Sequence, residues 1–245
     1  AGNVEPGFMI SASGNVVIEG SVEGSSIYAG QDILIKGGCQ GQGVSEVQAG
    51  GNIVGQFFES ATLVAEGDIT CTYLLNCDLT TENFLHVEGR RGVIIGGHVT
   101  AKTGLSCFGI GNMAGTKTPI EVGVGDGDTR AYQELMDRCS KVEEDIKTLE
   151  EGIDKIMSME NRDEKLTKAL YTQKKEITVL LEEREKSIIK MTKQRSAQVE
   201  VKGTTHPQTR IFISSVVYTV RQTLKNVIFL KQDGKVGYKV RTKID

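Results

Sequence analysis

Tryptophan is absent from this chain of 245 residues, aromatic residues make up 5%, and proline occurs three times. With so few rings there is little material for the aromatic platforms on which polysaccharide-cleaving β-solenoids hold sugars. So little proline argues against plain disorder, which is usually proline-rich. Glycine does not recur at every third position, which excludes a collagen-like helix. No run approaches the ~20 apolar residues of a membrane span. No secretory signal is read at the start of the sequence, at Ala1. The cysteines (Cys39, Cys71, Cys77, Cys107, Cys139) are five and scattered, with no CxxC pair. They read as reduced thiols in a cytoplasmic protein.

What the chain does have is glycine, 29 residues of it, unevenly spread. Only Gly152, Gly203, Gly234 and Gly237 lie beyond position 127. Charge divides the chain at similar points. Residues 1–127 carry 13 acids and 5 bases; residues 128–195 carry 16 and 15; residues 196–245 carry 3 and 9. Three segments are therefore expected.

The first segment repeats. A small residue, a turn and an apolar strand start recur in Ala29-Gly30-Gln31-Asp32-Ile33, Ala49-Gly50-Gly51-Asn52-Ile53 and Ala65-Glu66-Gly67-Asp68-Ile69. Weaker copies are Thr80-Thr81-Glu82-Asn83-Phe84 and Ala101-Lys102-Thr103-Gly104-Leu105, with a half-copy at Ser13-Gly14-Asn15-Val16. Asn, Asp and Gly tolerate positive φ and so suit the turns. Period-two alternation between turns sends Val16 and Ile18, or Ile33 and Ile35, to one face. One rung of short strands cannot bury that face alone, whereas stacked rungs bury it together. The expectation is a mainly β, right-handed parallel β-helix of roughly six turns over 1–127. A left-handed hexapeptide helix, as in many acyltransferases, is the rival; Ile27, Ile33 and Cys39 keep its step of six, and the later turns do not.

From Asp128 the texture changes. Leu135, Cys139, Val142, Ile146, Leu149, Ile153 and Ile156 follow a 4-3 alternation, a heptad seam. Asp128 or Thr129 supplies the N-cap. A turn near Ser158-Met159-Glu160-Asn161, with Glu164 completing a capping box, leads to a second helix. That helix carries Leu166, Leu170, Gln173, Ile177, Leu180, Arg184, Ser187 and Met191 on the same rule, with the seam looser at the polar Arg184 and Ser187 or its register shifting there to include Ile188. A long antiparallel coiled-coil hairpin over 128–195 is expected. A simple connection would need only a few residues. The excess length points to docking of a protein partner or of a second copy.

Residues 196–245 return to alternation, with Asp233-Gly234 as a hairpin turn signal. They are expected to cap or complete the β domain, because a solenoid's last rung otherwise leaves an open edge. Lys225, Lys231, Lys235, Lys239, Arg241 and Lys243, interleaved with Phe229 and Tyr238, raise nucleic-acid binding as an alternative. It is not favoured, because the charge is modest and the aromatics are needed for packing.

Catalytic chemistry finds no foothold. His86 sits two residues before Glu88, but further metal ligands for that pair, or for His98 and His206, are not found. The Gly123-Val124-Gly125-Asp126-Gly127-Asp128 run lacks both a phosphate-loop lysine and spaced calcium ligands. No catalytic residue, metal or cofactor is expected. A sugar- or acyl-active β-helix enzyme stands only as an alternative.

One stretch is more specific: Val87-Glu88-Gly89-Arg90-Arg91-Gly92-Val93-Ile94-Ile95-Gly96-Gly97-His98-Val99-Thr100-Ala101. With Ile110-Gly111-Asn112 and Gly115-Thr116-Lys117-Thr118-Pro119, it resembles the flagellar assembly protein A (FapA) family. The residues carrying the likeness are Gly92, Gly96, Gly97, Ala101, Gly111, Gly115, Thr116 and Thr118. The order of solenoid, heptad hairpin and closing strands containing His206-Pro207 is similar as well. The chain departs from the family in having Gln208 where glycine often follows that proline. It also begins inside the repeats, where members usually carry a preceding domain. The resemblance implies a cytoplasmic, bacterial, non-enzymatic scaffold in flagellar assembly or its regulation, with self-association through open solenoid ends an option.

Overall fold

The computed structural model describes residues 2–89, 92–123, 129–157 and 164–241. Among these, fourteen strands run from Met9 to Val122, two helices follow, and five strands span Val199 to Val240. The expected turn at 158–161, the capping box and the 124–128 run lie outside the described residues.

The β portion is a parallel solenoid. Each apolar strand start pairs with its counterpart one rung on, which produces columns. One column is Val16, Ile33, Ile53, Ile69, Leu85, Leu105 and Val199, so six turns separate its ends. A second is Val22, Cys39, Phe58, Leu74, Ile94, Ile110 and Thr205. A third is Ile27, Val47, Leu63, Leu79, Val99, Ile120 and Ile211. All three are buried, and all their members but Thr205 join one continuous apolar core. Each buried Ile, Leu or Phe contributes about 1.5–3 kcal/mol, so the columns dominate the stability of this unit.

A fourth column marks a corner: Ala12, Ala29, Ala49, Ala65, Thr81, Ala101, Val122 and Ile213. It corrects the sequence register of one repeat. Thr81, not Thr80, takes the alanine position, and Leu85, not Phe84, takes the strand-start position. Leu85 is fully buried, whereas Phe84 faces partly outward. The Thr81 hydroxyl donates to the Gly67 carbonyl, which lets a polar side chain occupy a dry corner.

The role expected for the turn Asn and Asp residues is also corrected. Asn15, Asp32, Asn52 and Asp68 are not among the residues with positive φ. They form a ladder instead. The Asp32 N–H donates to Asn15 Oδ1 (2.9 Å), Asn52 N–H to Asp32 Oδ1 (2.7 Å), Asp68 N–H to Asn52 Oδ1 (2.8 Å) and Phe84 N–H to Asp68 Oδ1 (3.0 Å). Asn and Asp alternate, so no two carboxylates are neighbours. The nearby glycines serve close approach: a Cβ on Gly50 would lie 2.5 Å from the Gly30 carbonyl oxygen.

The chain after the helices completes this unit. Val199–Thr205 lies parallel to Gly104–Ile110, and Arg210–Ile213 lies parallel to Pro119–Val122. Antiparallel strands Leu224–Gln232 and Val216–Thr219 then cover both. The final hairpin turns at Asp233-Gly234, both with positive φ, as the sequence signal expects. By contacts the chain forms two compact units, one of 1–126 with 194–245 and the other of 127–193.

The second unit contains α1 (Thr129–Met157) and α2 (Glu164–Arg195), of 29 and 32 residues. Arg184 Nη2 lies 2.7 Å from Glu143 Oε1, and Gln173 lies beside Gly152. The two contacts run in opposite sequence order. Neither helix is long and apolar enough to cross a membrane.

Candidate interaction surfaces

Of the residues carrying the sequence likeness, Gly96, Thr116 and Thr118 meet at one turn of the solenoid, whereas Gly92 and Ala101 lie at other turns. The Gly96 N–H donates to the Thr118 hydroxyl (3.0 Å), which in turn donates to the Thr116 carbonyl (3.1 Å). The Thr116 N–H donates to Asn112 Oδ1 (3.1 Å). Gly96, Gly97, Gly111 and Gly115 have φ between +70° and +77°. At Gly97 a side chain is excluded twice, since a Cβ would also fall 2.0 Å from the Cys77 carbonyl oxygen. Gly92 is held close to the Val87 carbonyl, and Ala101 is fully buried in the corner column. These contacts lock the loop before Pro119 onto the preceding rungs. Gln208, in the adjoining turn, adopts φ of +73°, a conformation that favours glycine.

The histidines are separate. His86 Nε2 lies 3.8 Å from Asp68 on the preceding rung rather than engaging Glu88, and His98 Nε2 lies 3.8 Å from Glu121. His206 donates its backbone N–H to Ile110. Among the described residues no three His, Cys, Asp or Glu side chains come together to suit a metal. The solenoid cysteines are interior. Burial pushes the thiols of Cys39 and Cys77 up to about 11, from an ordinary value of 9.0, and those of Cys71 and Cys107 higher still. In the closing strands Phe229 is fully buried against Tyr218 and Tyr238. Arg241 is held by Glu200 at 2.8 Å, and Lys231 donates to the Ser214 carbonyl. Neither Phe229 nor Arg241 is therefore presented freely for base stacking or phosphate contact.

In the helical unit the heptad positions read from the sequence are covered to different degrees. Cys139, Val142 and Ile146 are buried, while Leu149, Ile153 and Ile156 are half-buried. On α2, Gln173, Ile177, Leu180, Arg184 and Ser187 are half-buried, and Met191 is buried. The side chains of Leu135, Leu166 and Leu170 lie outside the described residues.

Two surfaces escape a reading built on alternation and one seam. The first is on the solenoid. Tyr73-Leu74-Leu75 and Val93-Ile94-Ile95 are three apolar residues in a row, so the outward positions are apolar too. Tyr73, Leu75, Val93 and Ile95 are half-buried outside the rungs, with Phe57 stacked on Tyr73 at 5.2 Å. The uninterrupted runs were the available signal. The second is on α2, where Tyr171, Val179, Leu181, Ile188 and Ile189 are exposed.

A single-chain parallel β-solenoid interrupted by a helical unit and closed by antiparallel strands defines the class of this protein. The family model described as "Flagellar Assembly Protein A beta solenoid domain" matches residues 1–236, and the chain belongs to that FapA family. Neither the curated proteins nor the solved structures yield a significant match to the chain.

Proposed function

We propose that this protein is a non-enzymatic, cytoplasmic scaffold of bacterial flagellar assembly or its regulation. In this reading α1 and α2 form an antiparallel coiled-coil hairpin that docks a protein partner, carried by a right-handed solenoid. The family's description supports the flagellar role. The right hand is supported by the general preference of parallel β crossovers and by the later turns not keeping the step of six that Ile27, Ile33 and Cys39 share.

The observation that carries the interaction role is the economy of the β ladder around the insertion. Val122 pairs with Ile213, and Leu105 with Val199, as direct neighbours on successive rungs. A Cβ on Gly123 would lie 3.4 Å from the Gln194 carbonyl oxygen and 3.4 Å from Ala197. Nothing in the solenoid requires the intervening helices, since a few residues would bridge that gap. Helices of 29 and 32 residues so placed serve something outside the β core.

The test replaces residues 124–193 with a short glycine-serine linker in the flagellated host. The expected result is a folded β protein, by circular dichroism, with flagellation lost or sharply reduced. A folded deletion variant supporting normal flagellation overturns the proposal.

A further inference from the structure

Beside the half-buried stripe of α2 runs a second one, offset by a single residue throughout: Tyr171, Lys174, Thr178, Leu181, Glu185 and Ile188. Its steps of 3, 4, 3, 4 and 3 keep it on one face, and the offset turns it about 100° from the first. All six residues are exposed, with Tyr171 at 76%, Leu181 at 45% and Ile188 at 42%. Among the described residues, α1 leaves only Met136 and Met157 as large exposed apolar side chains.

The stripe is its own reverse. Turned end over end about a point between Val179 and Leu180, it sets Tyr171 against Ile188, Lys174 against Glu185, and Thr178 against Leu181. Each apolar end meets an apolar end and each charge meets its opposite. A two-fold interface has this self-complementarity, with residue i meeting j and j meeting i. Lys174 and Glu185 stand eleven positions apart on one straight helix, about 16 Å, too far to pair within a copy. The face two positions on from the half-buried stripe, about 200° round the helix, lacks the property. Reversal of Thr172, Lys175, Val179, Glu182, Lys186 and Ile189 sets Lys175 against Lys186 and Val179 against Glu182. Net charge does not oppose self-pairing, since residues 128–195 hold 16 acids and 15 bases.

We infer that the occupant of this face is a second copy of the chain, docked antiparallel through α2 about that two-fold point. The 100° separation of the two stripes is what each helix of a four-helix arrangement needs to face two neighbours. The inference rests on the reading of the helices as an interaction element, and it names the partner of that element.

Sedimentation equilibrium of the full chain tests it, with folding checked by circular dichroism. The wild type is expected to sediment at twice 26.6 kDa. Lys174→Glu and Glu185→Lys each place like charges at both symmetric contacts. Each is expected to weaken the dimer about ten-fold. The double variant restores the opposite-charge pairs across copies and should recover affinity to within about three-fold of wild type. A monomeric wild type, a dimer indifferent to both single substitutions, or a double variant no better than the singles overturns the inference. A monomer whose helix deletion still abolishes flagellation refutes only the self-pairing. A charge-sensitive dimer whose deletion variant flagellates normally refutes only the flagellar role.

Discussion

The alternation of amide and carboxylate along the solenoid ladder gives a sharp prediction at Asn52. Asn52→Asp places a third carboxylate between Asp32 and Asp68. Successive rungs are ~4.8 Å apart. At that spacing each new like-charge pair costs about 0.9 kcal/mol with water-like screening. That dielectric is the right choice because Asp32 and Asn52 are exposed. Two pairs cost about 1.7 kcal/mol. Loss of the Asn52 Nδ2–H donor to Asp32 Oδ1 (3.1 Å) adds about 1 kcal/mol. Asn52→Ala is the control. It removes the amide's donor and its acceptor for the Asp68 N–H, at a similar cost, but introduces no charge. Urea denaturation followed by circular dichroism separates the two through salt, because urea adds no ions of its own. Raising ionic strength from ~0.01 M to ~1 M shortens the screening length from ~30 Å to ~3 Å and cuts the repulsion roughly four-fold. The Asp variant should therefore regain about 1 kcal/mol relative to wild type, and the Ala variant almost nothing. Equal salt responses of the two variants would refute the ladder as the place where charge alternation matters.

Gln208→Gly relieves a left-handed φ at some cost in chain entropy. It should raise stability by about 0.5–1 kcal/mol, whereas Gln208→Ala should not; thermal melts compare them. Val142→Asp puts an unpaired charge at a buried helix position. It should cost several kcal/mol and remove helical ellipticity while the β signal persists; simultaneous loss of both would contradict two separately packed units. Folded protein at neutral pH should leave the Cys39, Cys71, Cys77 and Cys107 thiols unreactive toward a disulfide reagent, and denaturant should release them. Because burial raises the Cys39 and Cys77 values, the folded state holds protons that the unfolded state releases above pH ~9. Stability gained from these two thiols is full below that pH and is lost as pH rises toward about 11, which titration of the melting temperature measures.

The solenoid was legible because its core uses β-branched and leucine side chains at regular strand starts. Val16, Ile33, Ile53 and Ile69 announce one column without any structure. The register failed at Thr80-Thr81, where Phe84 looks like the better strand start on hydrophobicity alone. What decides the position is the Thr81 hydroxyl, whose bond to the Gly67 carbonyl lies in the neighbouring rung. The Asn and Asp residues misled for a similar reason. Their sequence signature is shared by left-handed turns and by side-chain ladders, and only the rung above distinguishes them. The outward apolar patch around Tyr73 and Ile95 is visible in the sequence as three-residue apolar runs, which alternation alone does not interpret. On α2 the 4-3 spacing of the expected seam could be read by counting. The neighbouring stripe could not be weighed until the exposure of Tyr171, Leu181 and Ile188 was known.

The return of the chain to the same ladder after the helices bears on how the molecule is made. The rung containing Val199 and Ile213 cannot close until a segment of some seventy residues has emerged and brought its ends together. Loop entropy charges for that only logarithmically, about 0.6 kcal/mol per doubling of length. The insertion point therefore behaves as a graft site. Helices can be lengthened, shortened or exchanged there with little penalty to the coil beneath, whose last turn assembles after synthesis has passed them.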